Sequence, residues 1–177
     1  MRAPLLRFHP IPSQDGMSLS FTPHVAAPRP APSGITLDSG LWPLLVVKIG
    51  RSPTRQDLER YLEARAATLQ RREPHVCLFD ARDVQMPPTQ LRQHYTDWLA
   101  AHETVLRQWM LGTAYIIQSP TVRIMMSAIR HFGRLASPFV VTATMQPAAT
   151  WAAERLHEAG LVPAATRVRA QYAIAAS

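Results

Sequence analysis

Pro74-His75-Val76-Cys77-Leu78-Phe79-Asp80-Ala81-Arg82 is the stretch whose reading decides the fold. A short apolar run that ends in an aspartate, with Asp83 and the Pro87-Pro88 pair beyond it, reads as a strand buried on both faces, the kind found inside a parallel sheet. It follows one helical segment and precedes another. The local unit is therefore α-β-α, and the sheet is covered on both sides.

Upstream, Ile35-Thr36-Leu37-Asp38 alternates like a half-buried edge strand, Ser39-Gly40 signals a turn, and Leu44 to Ile49 is apolar enough for an interior strand. These two predict an antiparallel pair. Thr54 with Asp57 three residues later forms an acidic capping box for a helix over 54–72, whose Leu58, Tyr61, Leu62, Arg65, Ala66 and Leu69 make one stripe. Pro74 ends it.

Downstream, Pro87-Pro88-Thr89 opens a second helix that places Leu91, Tyr95, Trp98, Leu99 and His102 on one face and breaks before Leu111. Gly112 to Ile117 reads as another buried strand. Ser119-Pro120 starts a third helix over 120–134 that buries Val122, Met125, Met126, Ile129 and Phe132. Pro138 to Ala143 is the last clear strand, and a final helix over 148–159 closes at Gly160. Thr166, Val168, Ala170, Tyr172 and Ile174 alternate along the tail, which is expected to stay loose or add one strand. Helical crossovers between interior strands demand a mostly parallel sheet with right-handed connections. The expected fold is α/β: about five strands with one antiparallel edge strand, flanked by about four helices.

Composition sets the outer limits. The 177 residues suit one domain with tails: a Pro-rich segment over 1–33, a core domain over 34–162 and a tail over 163–177. Seven of the 16 prolines fall in the first 33 residues, so that segment sustains neither helix nor interior strand and is expected to be disordered. Cys77 is the single cysteine, which excludes an internal disulfide and suits a reducing compartment; it reads as a small buried hydrophobe. No run reaches the roughly 18 apolar residues of a membrane span, and Arg7, His9, Pro10 and Pro12 interrupt any secretory core, so a cytoplasmic location is expected. The net charge of +7 favours anionic partners only where it is gathered in one place. Lys48 is the one lysine among 19 basic residues, and the arginines are scattered.

In element order and pattern the chain resembles the STAS domain superfamily, and more narrowly the SpoIIAA-like (STAS/SEC14) group of small stand-alone bacterial proteins. The resemblance covers about residues 34–160. It rests on the strand ending in Leu78-Phe79-Asp80-Ala81-Arg82, the proline-opened helix with Arg92, Tyr95 and Trp98, the strand-to-helix step from Gly112 to Arg123, the Pro138-Phe139 strand, and the run from Ala148 through Trp151 to Leu156. STAS proteins that antagonise anti-sigma factors carry a phosphorylatable serine in a D-S-S-G-like motif after the third strand. Here Asp83-Val84-Gln85-Met86-Pro87-Pro88-Thr89 stands there and the motif is absent; Thr89 reads as a helix N-cap.

Candidate functional residues cluster around the central strand's end. Asp80 lies at its carboxyl edge, where open α/β sheets place a ligand crevice, and with Asp83 it is the candidate functional acid; hydrogen bonding to the next helix's amides is its ordinary role. His94, Asp97, Trp98 and His102 fall within two turns of one helix but lack any zinc signature, so no metal is assigned. Arg123, Arg130 and Arg134 line one side of the third helix and form an alternative anion-binding row for nucleic acid or acidic lipid. No G-x-S-x-G, P-loop or G-x-G-x-x-G appears.

The expected function is a non-catalytic regulatory or scaffolding module acting through a protein partner, with self-association left open and no cofactor. Its expected surface is Asp80, Asp83, Thr89, Arg92 and Arg123. The SEC14-like relatives imply a third alternative, a carrier of an apolar ligand or lipid.

Overall fold

In the central strand β3, His75–Asp80, all six residues are buried, as its apolar run requires. The computed structural model describes residues 34–122 and 137–175. Around β3 stand β1 (Ile35–Leu41), β2 (Leu44–Ile49), β4 (Met110–Ile116) and β5 (Phe139–Thr142), in the spatial order β1-β2-β3-β4-β5. β1 runs antiparallel to β2, and every other neighbouring pair is parallel. The expected mixed α/β sheet with one antiparallel edge is present.

The described helices are α1 (Arg55–Leu69), α2 (Thr89–Ala101), α3 (Glu103–Trp109), α4 (Met145–Glu158) and α5 (Val162–Gln171). No helix among the described residues is long and apolar enough to cross a membrane. α1 begins on the expected capping box: the Asp57 N–H donates to Thr54 Oγ1 at 3.1 Å, and the Thr54 N–H donates to Asp57 Oδ2 at 2.9 Å. Two backbone donors at the helix start are thereby satisfied. The Thr54 hydroxyl, which donates to Asp57 Oδ2 at 2.7 Å, together with the Thr54 N–H holds the Asp57 carboxyl below the ordinary aspartate value.

Strand alternation divides the apolar residues into two layers. Leu44, Val76, Leu78, Ala114 and Ile116 face α4 and α5, where they meet Ala148, Ala149, Ala152, Ala153, Leu156, Ala165 and Val168. This is the alanine face. Leu45, Val47, Cys77 and Phe79 face the opposite way, against Leu58, Tyr61 and Leu62 of α1 and Leu91, Tyr95 and Trp98 of α2. This is the aromatic face. In-register pairs such as Val46 with Leu78 and Val47 with Phe79 keep each strand's alternation in step with its neighbour.

Four local expectations are corrected. The strand reversal does not fall at Ser39-Gly40: β1 continues to Leu41 through a register shift, where the Trp42 N–H donates to the Ser39 carbonyl at 2.9 Å around Gly40-Leu41, and the chain reverses at Trp42-Pro43. β4 starts at Met110, straight out of the short helix α3. α4 starts at Met145, because Pro147 fits a first turn that lacks intrahelical N–H partners anyway. Residues 162–171, expected to be loose, form α5. It carries Pro163 in its first turn and buries Ala164, Ala165 and Val168 against the alanine face. The tail's alternation at every second residue disguised a helical stripe of small side chains.

At the amino end of the strands a buried cation is held with no carboxylate paired to it among the described residues. Arg65, 2% exposed, lies 3.0 Å through Nη1 from His75 Nε2 and directs Nη2 to Met110 Sδ at 3.2 Å. A guanidinium only donates, so His75 Nε2 accepts and its Nδ1 carries the proton donated to the Glu73 carbonyl at 2.9 Å. Burial, with the Arg65 charge beside it, pushes the imidazole down to about 4. Trp42 stacks on His75 with ring centroids 5.4 Å apart, and Arg71 covers the Trp42 ring at 4.5 Å.

Candidate functional site

Parallel strands bring their carboxyl ends to one edge of the sheet, and the loops leaving that edge build the site. After β3 the chain runs from Ala81 to Pro88 before α2. The Ala81 N–H donates to the Ile116 carbonyl at 3.0 Å, and the Gln85 N–H donates to the Arg51 carbonyl at 2.9 Å. These bonds tie the loop to the ends of β4 and β2. Ala81 and Val84 point inward and pack with Ile117 and Val122.

On the aromatic face under this loop lies a cavity of about 170 Å³. Ile35 and Ile49 contribute from β1 and β2, Phe79 from β3, Tyr115 from β4, Tyr61 from α1, and Leu91, Arg92, Tyr95 and Thr96 from α2. Rings dominate it: Phe79 stacks on Tyr115 at 5.5 Å between centroids, while Tyr61 and Tyr95 lie 6.1 and 6.5 Å from Phe79. Burial raises the phenols of Tyr61, Tyr95 and Tyr115, so all three stay neutral. It also pushes the Cys77 thiol up to about 11, which leaves it as an inert hydrophobe.

Arg92 is the one charged residue among those that line the cavity. Its Nη2 donates to Thr89 Oγ1 at 2.8 Å, while its Nε is buried without a hydrogen-bond partner. Thr89 is the first residue of α2 and not its cap, as expected from sequence; Pro88 holds the cap position and offers no side-chain hydrogen bond. The first turn of α2 thus presents a positive dipole end with no acidic residue in it.

Asp80 is placed on the other face and is otherwise engaged. Arg82 Nε donates to Oδ1 and Arg82 Nη2 to Oδ2, both at 2.8 Å, and the Arg82 N–H reaches Oδ1 at 3.4 Å. The expected bonds to the next helix's amides are replaced by this fork, which closes the turn after β3. Burial would raise the Asp80 carboxyl, but the hydrogen bonds and charge of Arg82, with Lys48 nearby, outweigh it and leave the pKa lowered. Asp83 is exposed in the same loop.

Among the described residues the structure joins Thr89 to Arg92 and Asp80 to Arg82, as two separate pairs. Arg123, Arg130 and Arg134 lie outside the described residues. In α2, His102 stacks on Trp98 at 4.2 Å and Asp97 accepts from Gln93 Nε2 at 2.7 Å; among the described residues no group of His, Cys, Asp and Glu could hold a metal ion. The cavity itself was missed in the sequence. Its walls come from six separate elements, and only the stripe of Leu91 and Tyr95 hinted at it.

The chain matches no protein-family model, no curated protein and no solved structure.

Proposed function

We propose that this chain is a non-catalytic, STAS-like binding module that holds a small apolar molecule under the loop after its central strand. The observation that carries this reading is the ring-lined cavity of about 170 Å³ at the carboxyl edge of the sheet. Apolar clefts with a few convergent polar groups at that edge are where α/β folds place ligands. Support for the STAS-like assignment is the element order and the single antiparallel edge pair in an otherwise parallel sheet. In this reading the guest orders the loop over 81–88 and the start of α2, which makes the surface above them ligand-dependent. Titration of benzene into the protein, followed by two-dimensional NMR, is expected to shift saturably the signals of residues around Phe79, Tyr95 and Tyr115. An Ala81→Phe variant, folded but with the cavity occupied, is expected to show no such shifts. Benzene shifts spread over the whole surface, or unchanged by Ala81→Phe, would sink the reading.

A second reading, regulation through a protein partner, is favoured by the exposed tip of the same loop. Met86 is 43% exposed beside Asp83, an apolar side chain offered at a solvent-facing turn. A partner recovered with the wild type and retained by a Met86→Asp variant would remove this surface from consideration.

A further inference from the structure

The two helices on the aromatic face are held in different ways. α1 buries Leu58, Tyr61, Leu62, Arg65, Thr68 and Leu69, whereas every residue of α2 from Thr89 to Ala101 is half-buried or exposed. A helix of 13 residues has little stability of its own and depends on the packing of its apolar face. In α2 that face meets the cavity: Leu91, Arg92, Tyr95 and Thr96 form one wall of the space. Side chains that border a void have no partner atoms on that side and forgo those contacts.

The side-chain hydrogen bonds of α2 are internal. Arg92 donates to Thr89, Gln93 to Asp97 and Thr96 to the Arg92 carbonyl, and His102 Nδ1 lies 2.9 Å from the Trp98 carbonyl. Among the described residues its links to α1 and the sheet are ring and aliphatic contacts, together with the meeting of the Tyr95 and Tyr61 hydroxyls. The helix can therefore move as a unit with its own bonds intact. Upstream the chain is tied at Gln85, whose N–H reaches the Arg51 carbonyl, and Met86-Pro87-Pro88 lead from there into α2. Downstream the helical path breaks at His102, and α3 is anchored by the buried Leu106. A few loop or element-terminal residues of this kind suffice to absorb a hinge motion.

We propose that α2 is the door of the cavity: it swings out on Met86-Pro87-Pro88 and His102 to admit the guest and closes when the guest fills the space beside Leu91 and Tyr95. This inference rests on the reading that the cavity takes an apolar guest, and adds the route by which the guest arrives. Closure is favoured because the guest supplies contacts that the void denies to the helix. Opening separates half-buried groups, so it proceeds without unfolding α1 or the sheet.

Amide hydrogen exchange of the full chain, read by mass spectrometry with and without benzene, tests the door, while two-dimensional NMR on the same samples reports whether benzene binds. In the free protein the slowest amides of α2 are expected to exchange at least about tenfold faster than the slowest of α1 and α4. Benzene at about ten times its Kd is expected to slow α2 about tenfold, since the open helix cannot hold the guest. Pro88→Gly loosens one joint outside the cavity wall and is expected to raise α2 exchange and the rate at which benzene enters and leaves together, by about two- to fivefold. Protection of α2 equal to that of α1, or α2 exchange unchanged by bound benzene, would overturn the door. So would a Pro88→Gly variant whose α2 opens more while benzene comes and goes at the wild-type rate. Absence of benzene shifts in the NMR spectra would overturn the apolar site itself, and this role of α2 with it.

Discussion

On one face of the sheet, α4 presents Ala148, Ala149, Ala152 and Ala153, all fully buried; on the other, α1 and α2 present Tyr61, Leu62, Leu91 and Tyr95. Alanine brings the helix backbone close to the strands and leaves no volume to misplace. The closeness shows at Gly112, where an added Cβ would come within 2.4 Å of the Trp151 ring. The aromatic face is spaced by rigid rings, and rings that meet edge to face or offset leave gaps that no methyl group fills. One layer is a closed joint, and the other contains room. A fold that must hold its shape and also admit a guest can assign these tasks to opposite sides of one sheet.

The largest expected contrast comes from removing volume on the closed side. Leu156→Ala, at a fully buried position of α4, is expected to lower the stability by about 2–5 kcal/mol in urea unfolding. A loss below about 1 kcal/mol would mean that the alanine layer can collapse around a void and is not the rigid partner.

Next comes acid. His75 is held neutral with a folded pKa of about 4, whereas the unfolded side chain titrates near 6.5. Between these values the unfolded state binds the extra proton, so stability is full above pH 6.5 and falls as the pH drops towards 4. The loss approaches about 3 kcal/mol. Unfolding midpoints of the wild type and His75→Gln, compared from pH 7.5 to 4.5, are expected to differ in slope inside that window. Parallel slopes would show that the Arg65-His75 contact does not hold the imidazole neutral.

Adding volume reverses the test. Gly112→Ala on the closed side is expected to cost about 1–3 kcal/mol, because the Trp151 ring and the Pro138 carbonyl must move. Ala81→Val, at the cavity wall, is expected to be neutral or to stabilise by less than about 1 kcal/mol, and to weaken binding of any guest. Equal costs at the two sites would erase the distinction between the faces. Between these in size, Thr54→Ala removes the α1 capping box and is expected to cost about 1 kcal/mol without altering guest binding.

The sequence makes the frame readable where punctuation is chemical. Thr54 with Asp57, Ser119 before Pro120 and the apolar run of β3 each act through their own local backbone, so one sequence suffices to place them. α5 escaped because its buried residues, Ala164, Ala165 and Val168, are too small to register as an apolar stripe, while Val168, Tyr172 and Ile174 mimic a strand. The turn after β1 escaped because Ser39-Gly40 carries stronger turn chemistry than Trp42-Pro43, yet its residues stayed extended through a register shift. Arg92 and Thr89 were legible as candidates, since the loop after a central strand is a known ligand edge. What was not legible is that Arg92 borders a cavity while Asp80, at the end of β3 in the same region, turns to the opposite face. That division follows from strand parity combined with packing between elements far apart in sequence, and no local pattern records it.

The covering of the alanine face by α4 and α5 has a consequence for the chain's synthesis. Among the described residues, the first four strands and the helices of the aromatic layer lie within residues 35–116, whereas the alanine side receives its cover from residues 145–171. As the chain leaves the ribosome from its amino end, Leu44, Val76, Leu78 and Ile116 form a bare apolar sheet surface until the final two helices emerge. Nascent chains that stall before residue 145 would be the form most in need of a chaperone.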